Sequence, residues 1–375
     1  MILSSCSQVF ASDTDYVYYN GKKFIEFEFL NEGEFASQYN LSDVLRNAVK
    51  SATSYWSEML GARAKNQSAW QILVFNEKNL QNASAGTASY TDKEDVGNNH
   101  VAQQIQDGKN LNYFNIKELA KIKIATDDKE EEIYQLFEDS IKNNISDTGD
   151  IGISQMRLGQ NFGANRKGSI DGRWIDTDTV LPTNEQAADF IGTVRHELVH
   201  ALGVLATTKL CDWDGNIIKK ESEAITYGKN NLFVMKFDDT CTDTRQWNFH
   251  LQDQNGNFAK PGMFILTSEG FNILKETKPD AVESDYFIVD EGNFAYFIGE
   301  NITDALAGAT FNGISGIPTN AFEFNGVEYS QRFEGSHFQT AGMQSHRRYS
   351  NYTGFTEVEL AALQDLEVVF TEKKW

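Results

Sequence analysis

The sequence predicts an α+β protein in which helices back a mixed, twisted β-sheet, and three observations carry that expectation. Short apolar runs of strand type, WQILVF at 70–75 and IGISQMRLG at 151–159, alternate with segments whose apolar residues recur at helical spacing. One helical segment, ending in FIGTVRHELVHALG at 190–203, is apolar on nearly every side. Beyond about residue 206 the texture changes to short aromatic runs broken by turns such as DWDGN and DQNGN.

The elements follow in order. Residues 1–11, MILSSCSQVFA, read as the remnant of a targeting segment, with a small-residue cut site before Ser12. LSSC there also fits a lipid-anchoring box at Cys6. From Ser42, a plausible N-cap, the series Val44, Leu45, Ala48, Val49, Ala52, Tyr55, Trp56, Met59 and Leu60 marks an amphipathic helix. The polar stretch from Asn76 to about Asn110 reads as loop with short strands, and Ile133, Leu136, Phe137 and Ile141 mark a second helix over 129–142. RKGSIDGRWIDTDTVL has strand and hairpin character. The next helix is expected to start near Thr183 or Asn184, with Glu185 in its first turn and Gly203 as its stop. FTEVELAALQDL at 355–366 is a last helix, capped by Thr356. No internal repeat is evident. The organisation expected is an N-terminal catalytic subdomain at 12–205, a strand-rich insertion at 206–330, and a C-terminal part at 331–375.

Composition narrows the partners. With 54 acidic against 33 basic side chains and a formal charge of −21, the chain would repel nucleic acid and anionic lipid. It has four prolines and no apolar run long enough to span a bilayer. If Cys6 leaves with the leader, Cys211 and Cys241 remain as an even pair, which suits an oxidising compartment; two unrelated buried thiols read as well. Asp212/Asp214 and Asp253/Asn255 resemble fragments of calcium loops, but neither continues to a bidentate glutamate, so hairpin turns explain them better.

The chemistry lies in HELVH. His196 and His200, one helical turn apart, project from one face and can direct ring nitrogens at one point. Glu197 lies on the adjacent edge, within reach of a water on such an ion, in the position of a general base. Two imidazoles and a carboxylate in so apolar a helix are costly unless paired or bound to something, so a Zn²⁺ site is expected. A catalytic zinc needs a third protein ligand. Glu221 or Glu223 in KKESEAITYG stands at a thermolysin-like distance, although Ile225 and Tyr227 occupy the place of the aspartate that such a motif carries. A third histidine soon after Gly203 is not available, because Ala206 stands there. His100 and His250 read as surface residues, whereas His337 lies in a Gly/Ser turn six residues before Met343, and His346 follows Met343 by three.

HELVHALG, a distant GSHF and a following GMQSH resemble the leishmanolysin-like branch of the metzincin zinc endopeptidases. SYWSEMLGARAKNQSAWQILVF, NASA, FIGENITDALAG and YSNYTGFTEVELAALQDL are similar to secreted bacterial proteases of this type, some carried by autotransporters. The resemblance implies a metzincin-like fold with a long insertion before the third ligand. It also implies His196, His200 and His337 as zinc ligands, Glu197 as general base and Met343 in the methionine turn beneath the metal. Tyr349 or Tyr352 would then be a candidate donor to the tetrahedral oxyanion.

The expectation is a secreted or surface-exposed zinc endopeptidase, a monomer acting on protein or peptide substrates. The rivals are a zinc-bearing adhesin or binding module without catalysis, and a non-peptidase hydrolase using the same zinc water.

Overall fold

The computed structural model describes residues 12–30, 43–61, 70–77, 83–90, 151–159, 173–174, 188–229, 231–239, 246–290, 292–320, 322–324, 329–333, 335–339, 355–368 and 370. The leader-like segment 1–11 and the helix expected at 129–142 lie outside these residues.

The first layer is a five-stranded sheet. β1 (Ser12–Tyr19) and β2 (Lys22–Leu30) form a hairpin. At its tip Asn20 and Gly21 both adopt positive φ, 48° and 75°, as a tight primed turn requires. After helix α1 (Asp43–Leu60), β3 (Trp70–Glu77) pairs parallel with β2. β4 (Ala83–Tyr90) pairs antiparallel with β5 (Ile151–Gly159), which is itself parallel to β3. The order is therefore β1-β2-β3-β5-β4, a mixed sheet with β4 at one edge. β4 lies in the stretch read as loop with short strands, and it pairs along its whole length with β5.

Alternate strand residues Ile25, Phe27, Phe29, Trp70, Ile72, Val74 and Met156 are buried with Ala48, Val49, Ala52 and Trp56 of α1 in one core. Helix α2 (Phe190–Ala201) packs against α1 and β4. Trp56 Nε1 donates to the Arg195 carbonyl at 3.3 Å, and Arg195 Nε donates to the Ala52 carbonyl at 3.2 Å, so the two helices are clasped from both sides. The helix start near Thr183 is a correction. Ala188 and Asp189 (β7) pair with Arg173 and Trp174 (β6) as a short parallel ladder, which keeps the chain extended up to Phe190 and leaves no acidic residue in the first turn. Thr183, Asn184 and Glu185 lie outside the described residues.

Beyond α2 the chain builds small sheets from β8 (Thr208–Leu210), β9 (Thr226–Tyr227), β10 (Leu232–Phe233), β11 (Met235–Phe237), β12 (Leu251–Gln252), β13 (Phe264–Leu266), β14 (Phe287–Ile288), β15 (Ala295–Phe297), β16 (Ile317–Thr319), β17 (Phe322–Phe324) and β18 (Tyr329–Phe333). The larger two run β14-β13-β11-β8 and β12-β15-β16. Two helices not expected from the sequence sit among them, α3 (Ser268–Thr277), capped by Thr267, and α4 (Glu300–Leu306).

The turns DWDGN and DQNGN are one structure used twice, a repeat the sequence reading missed. In each, the aspartate (Asp212, Asp253) accepts from the main-chain N–H groups two and four residues on and from the side-chain amide of the later asparagine. Asp253 also accepts from Ile288 N, so four donors fill the roughly four lone-pair sites of its carboxylate and leave no room for a calcium ion.

The last helix, α5 (Glu357–Asp365), carries the expected Thr356 cap as a full capping box with Glu359. Phe355 packs against Trp56, with ring centroids 5.2 Å apart. At the other end, Asp365 accepts from Asn301 N at 2.8 Å, Asn301 Nδ2 at 2.9 Å and Ile302 N at 3.1 Å. It thereby caps α4, whose own N-cap, Gly299, has no side chain; a Cβ on Gly299 would collide with the Asp365 carboxylate. Asp365→Ala is expected to destabilise the protein by about 1–2 kcal/mol, the size of a lost N-cap. Urea unfolding would reveal it, and a change within about 0.3 kcal/mol would show that the cap contributes nothing.

Candidate metal centre

His196 and His200 are delivered by α2 and are buried, each with 7% of its surface exposed. The helix is short and Phe190, Ile191, Val194, Leu198 and Val199 along it are buried apolar residues, so its register cannot rotate without exposing them. It stops at Gly203, where φ is +115°, a value that favours glycine. The turn bends the chain so that the Val204 carbonyl lies 2.7 Å from His200 Nδ1. A carbonyl can only accept, so Nδ1 carries the proton and Nε2 presents a lone pair.

His337 arrives from the far end of the insertion, on a short extended segment after β18. Phe338 bridges to Thr319, His337 O accepts from Asn320 N at 2.9 Å, and Gln339 N donates to Pro318 O at 3.0 Å, so the segment is stitched to the outer edge of β16. Trp247 Nε1 donates to Gly335 O at 2.7 Å from within the core. Gly335 is in a tight place, since an added Cβ would approach the Phe333 ring to 2.6 Å. Ala206, standing where a nearer third histidine would have been, donates its N–H to Ser336 Oγ at 2.8 Å.

The outcome is a triangle. The three Nε2 atoms of His196, His200 and His337 are each 3.2 Å from the other two. The rings of His196 and His337 are nearly parallel, at 13°, and His200 stands across them at 83° and 79°. Among the described residues these three lie close enough to hold a metal ion, and no carboxylate belongs to the group.

Hydrogen bonding does not account for this arrangement. An imidazole nitrogen has one in-plane position, filled by a proton or a lone pair, and His200 Nε2 has the lone pair. At most one edge of the triangle can then be a hydrogen bond, and the others press like groups together in a buried place. A cation that accepts all three lone pairs removes that conflict. A tetrahedral ion with bonds of 2.0–2.1 Å keeps its nitrogens about 3.3–3.4 Å apart, close to the observed spacing.

The other candidates fall elsewhere. Glu197 is buried at 8% exposure, next to His196, and is not one of the three clustered groups. Glu221 and Glu223 are exposed on a 3₁₀ turn and do not join the histidines. His250 is not the surface residue expected: it is half-buried, donates Nδ1–H to Ile298 O at 3.0 Å and stacks on Phe297. Cys211 is buried, which pushes its thiol up to about 12; Cys241 lies outside the described residues. Met343, His346, Tyr349, Tyr352 and His100 also lie outside them. Trp247 and Ser336, which hold the loop bearing His337, and Asn248, which holds the turn at Thr207, had no signal in the sequence beyond a serine and a glycine beside that histidine.

Among the described residues no helix is long and apolar enough to cross a membrane. No protein-family model, no curated protein and no solved structure matches this chain.

Proposed function

We propose that this protein is a zinc-dependent endopeptidase, built like a metzincin of the leishmanolysin-like branch and acting on protein or peptide substrates at the cell surface or beyond it. The observation that carries the reading is the triangle of imidazole nitrogens 3.2 Å apart, with a buried glutamate, Glu197, following His196 in the same helix. Imidazole donors suit zinc and its transition-metal neighbours, whereas calcium and magnesium take oxygen. When bound, zinc would supply a Lewis acid that polarises a carbonyl and brings the pKa of water down towards about 7.

The protein's own groups have separate tasks. The bond from His200 Nδ1 to Val204 O keeps that ring's orientation and its Nε2 unprotonated. Glu197 takes a proton from the attacking water and returns it to the departing amine nitrogen. Tyr349, Tyr352 and Met343 keep the roles that the resemblance gives them. Among the described residues β4 pairs with β5 alone and packs against α2, which favours an extended peptide adding to that edge beside the active helix. A zinc-bearing adhesin fits less well, because structural zinc sites close with four protein ligands, and three cluster here among the described residues.

Two outcomes test the reading. Glu197→Gln should keep stoichiometric zinc and lose cleavage of an unbiased peptide library by about 10³–10⁴-fold; a variant that cleaves as fast as the parent removes the base. His337→Ala should lower zinc affinity by more than the roughly 10–100-fold typical of an outer-shell partner, while Glu221→Ala and Glu223→Ala leave it unchanged. Elemental analysis after dialysis reads the second, and a chelator should abolish cleavage by the parent.

A further inference from the structure

We infer that Ser336 is a positioning residue for the third ligand, tying His337 to the exit of the helix that carries the other two; the inference rests on the metal site proposed above. His337 lies on a segment held by β16 on one side, far along the chain from α2, and nothing in that pairing fixes its distance from His196 and His200. The link is made at the turn after the helix. Val204 O accepts from His200 Nδ1, and two residues later Ala206 N donates to Ser336 Oγ at 2.8 Å, next to His337. Ser336 is 6% exposed, so water competes little for that bond. Beside it, Thr207 is gripped from the insertion: its N–H donates to Asn248 Oδ1 at 3.0 Å and its carbonyl accepts from Asn248 Nδ2 at 2.9 Å.

The backbone of residues 204–207 is therefore a shared reference, bonded to one ligand ring on one side and to the neighbour of another ligand on the other. A metal site needs its nitrogens within about 0.2 Å of the working geometry. Without the hydroxyl, Ala206 N–H would lose its acceptor in a half-buried place and the His337 loop would lose this bond to the turn.

The test is zinc affinity, measured on the full chain by competition with a chromophoric chelator. Ser336→Ala should weaken zinc binding about 10-fold or more, and Ser336→Thr, which keeps the hydroxyl, should recover most of the loss. In a His337→Ala background, adding Ser336→Ala should change the affinity less than 2-fold, because its effect passes through a ring no longer there. Ser336→Cys, nearly isosteric but a poor acceptor, should behave as the alanine does and replaces it if that variant fails to fold. Parent-like affinity in both the alanine and the cysteine variants overturns the inference, as does an equal loss with and without His337. If the parent takes up no zinc, or His196→Ala matches it, the metal site itself is wrong and the inference goes with it.

Discussion

Three imidazole nitrogens each 3.2 Å from the other two in a small buried space cannot all be satisfied by hydrogen bonding one another, and this constraint organises the molecule around the helix that carries His196 and His200. Burying polar groups costs free energy that has to be offset, so a helix that places His196, Glu197 and His200 among Phe190, Val194, Leu198 and Val199 has to be held in by its surroundings. The surroundings are the five-stranded sheet and α1. Trp56 and Arg195 reach across the helix pair in opposite directions, each donating to a main-chain carbonyl of the other helix. Those carbonyls lie inside helices and already accept one bond each, so the clasp uses their second lone pair and leaves both helices intact.

The long chain between the second and third histidines is less extravagant than it looks. Loop-closure entropy grows with the logarithm of length, at about 0.6 kcal/mol per doubling, so a long excursion costs little more than a short one provided it folds on itself. Here it does. The sheets β14-β13-β11-β8 and β12-β15-β16 bury Phe237, Phe287, Trp247 and Phe297, and these belong to one core with the buried residues of the first layer. A tight turn at Gly203 sends the chain out, and the pairing at the edge of β16 together with the bonds to Ser336 and Gly335 brings His337 back.

What the sequence disclosed follows from where local rules operate. The helix with HELVH was legible because its apolar surroundings make buried histidines conspicuous, and α5 was legible because Thr356 and Glu359 spell a capping box. β3 and β5 could be read from their apolar runs. β4 was legible only as a short strand without bounds: ASAGTASY has small and polar residues of the sort found in loops, and it is a full strand because β5 offers it a ladder of partners. The start of α2 was misjudged for the complementary reason, since a cap-like Thr–Asn pair says nothing about the ladder at Ala188–Asp189 that delays the helix. The two Asp hairpins were legible as turns, but not as one bonding pattern used twice, because only Asp, Gly and Asn recur between them. Proximity of His337 to the other two was not derivable from spacing at all; it came from a resemblance, and it is carried physically by Ser336, Trp247 and the β16 edge.

The same logic explains why the C-terminal helix matters to a site it does not touch through any described ligand. α5 meets α1 through Phe355, which lies against Trp56 and donates its N–H to Tyr55 Oη at 3.4 Å. At its opposite end Asp365 caps α4 within the insertion. Trp56 in turn touches the Arg195 carbonyl, one residue before His196. The helix thus spans from the layer that carries two of the histidines to the block that carries the third, and its two anchors are of different kinds. The Phe355 contact is apolar and tolerant of small shifts, whereas the Asp365 cap is directional and sets how α4 is placed. A histidine cluster assembled from segments so far apart in sequence depends on such cross-links, because neither the sheet nor the insertion alone defines where the three nitrogens meet.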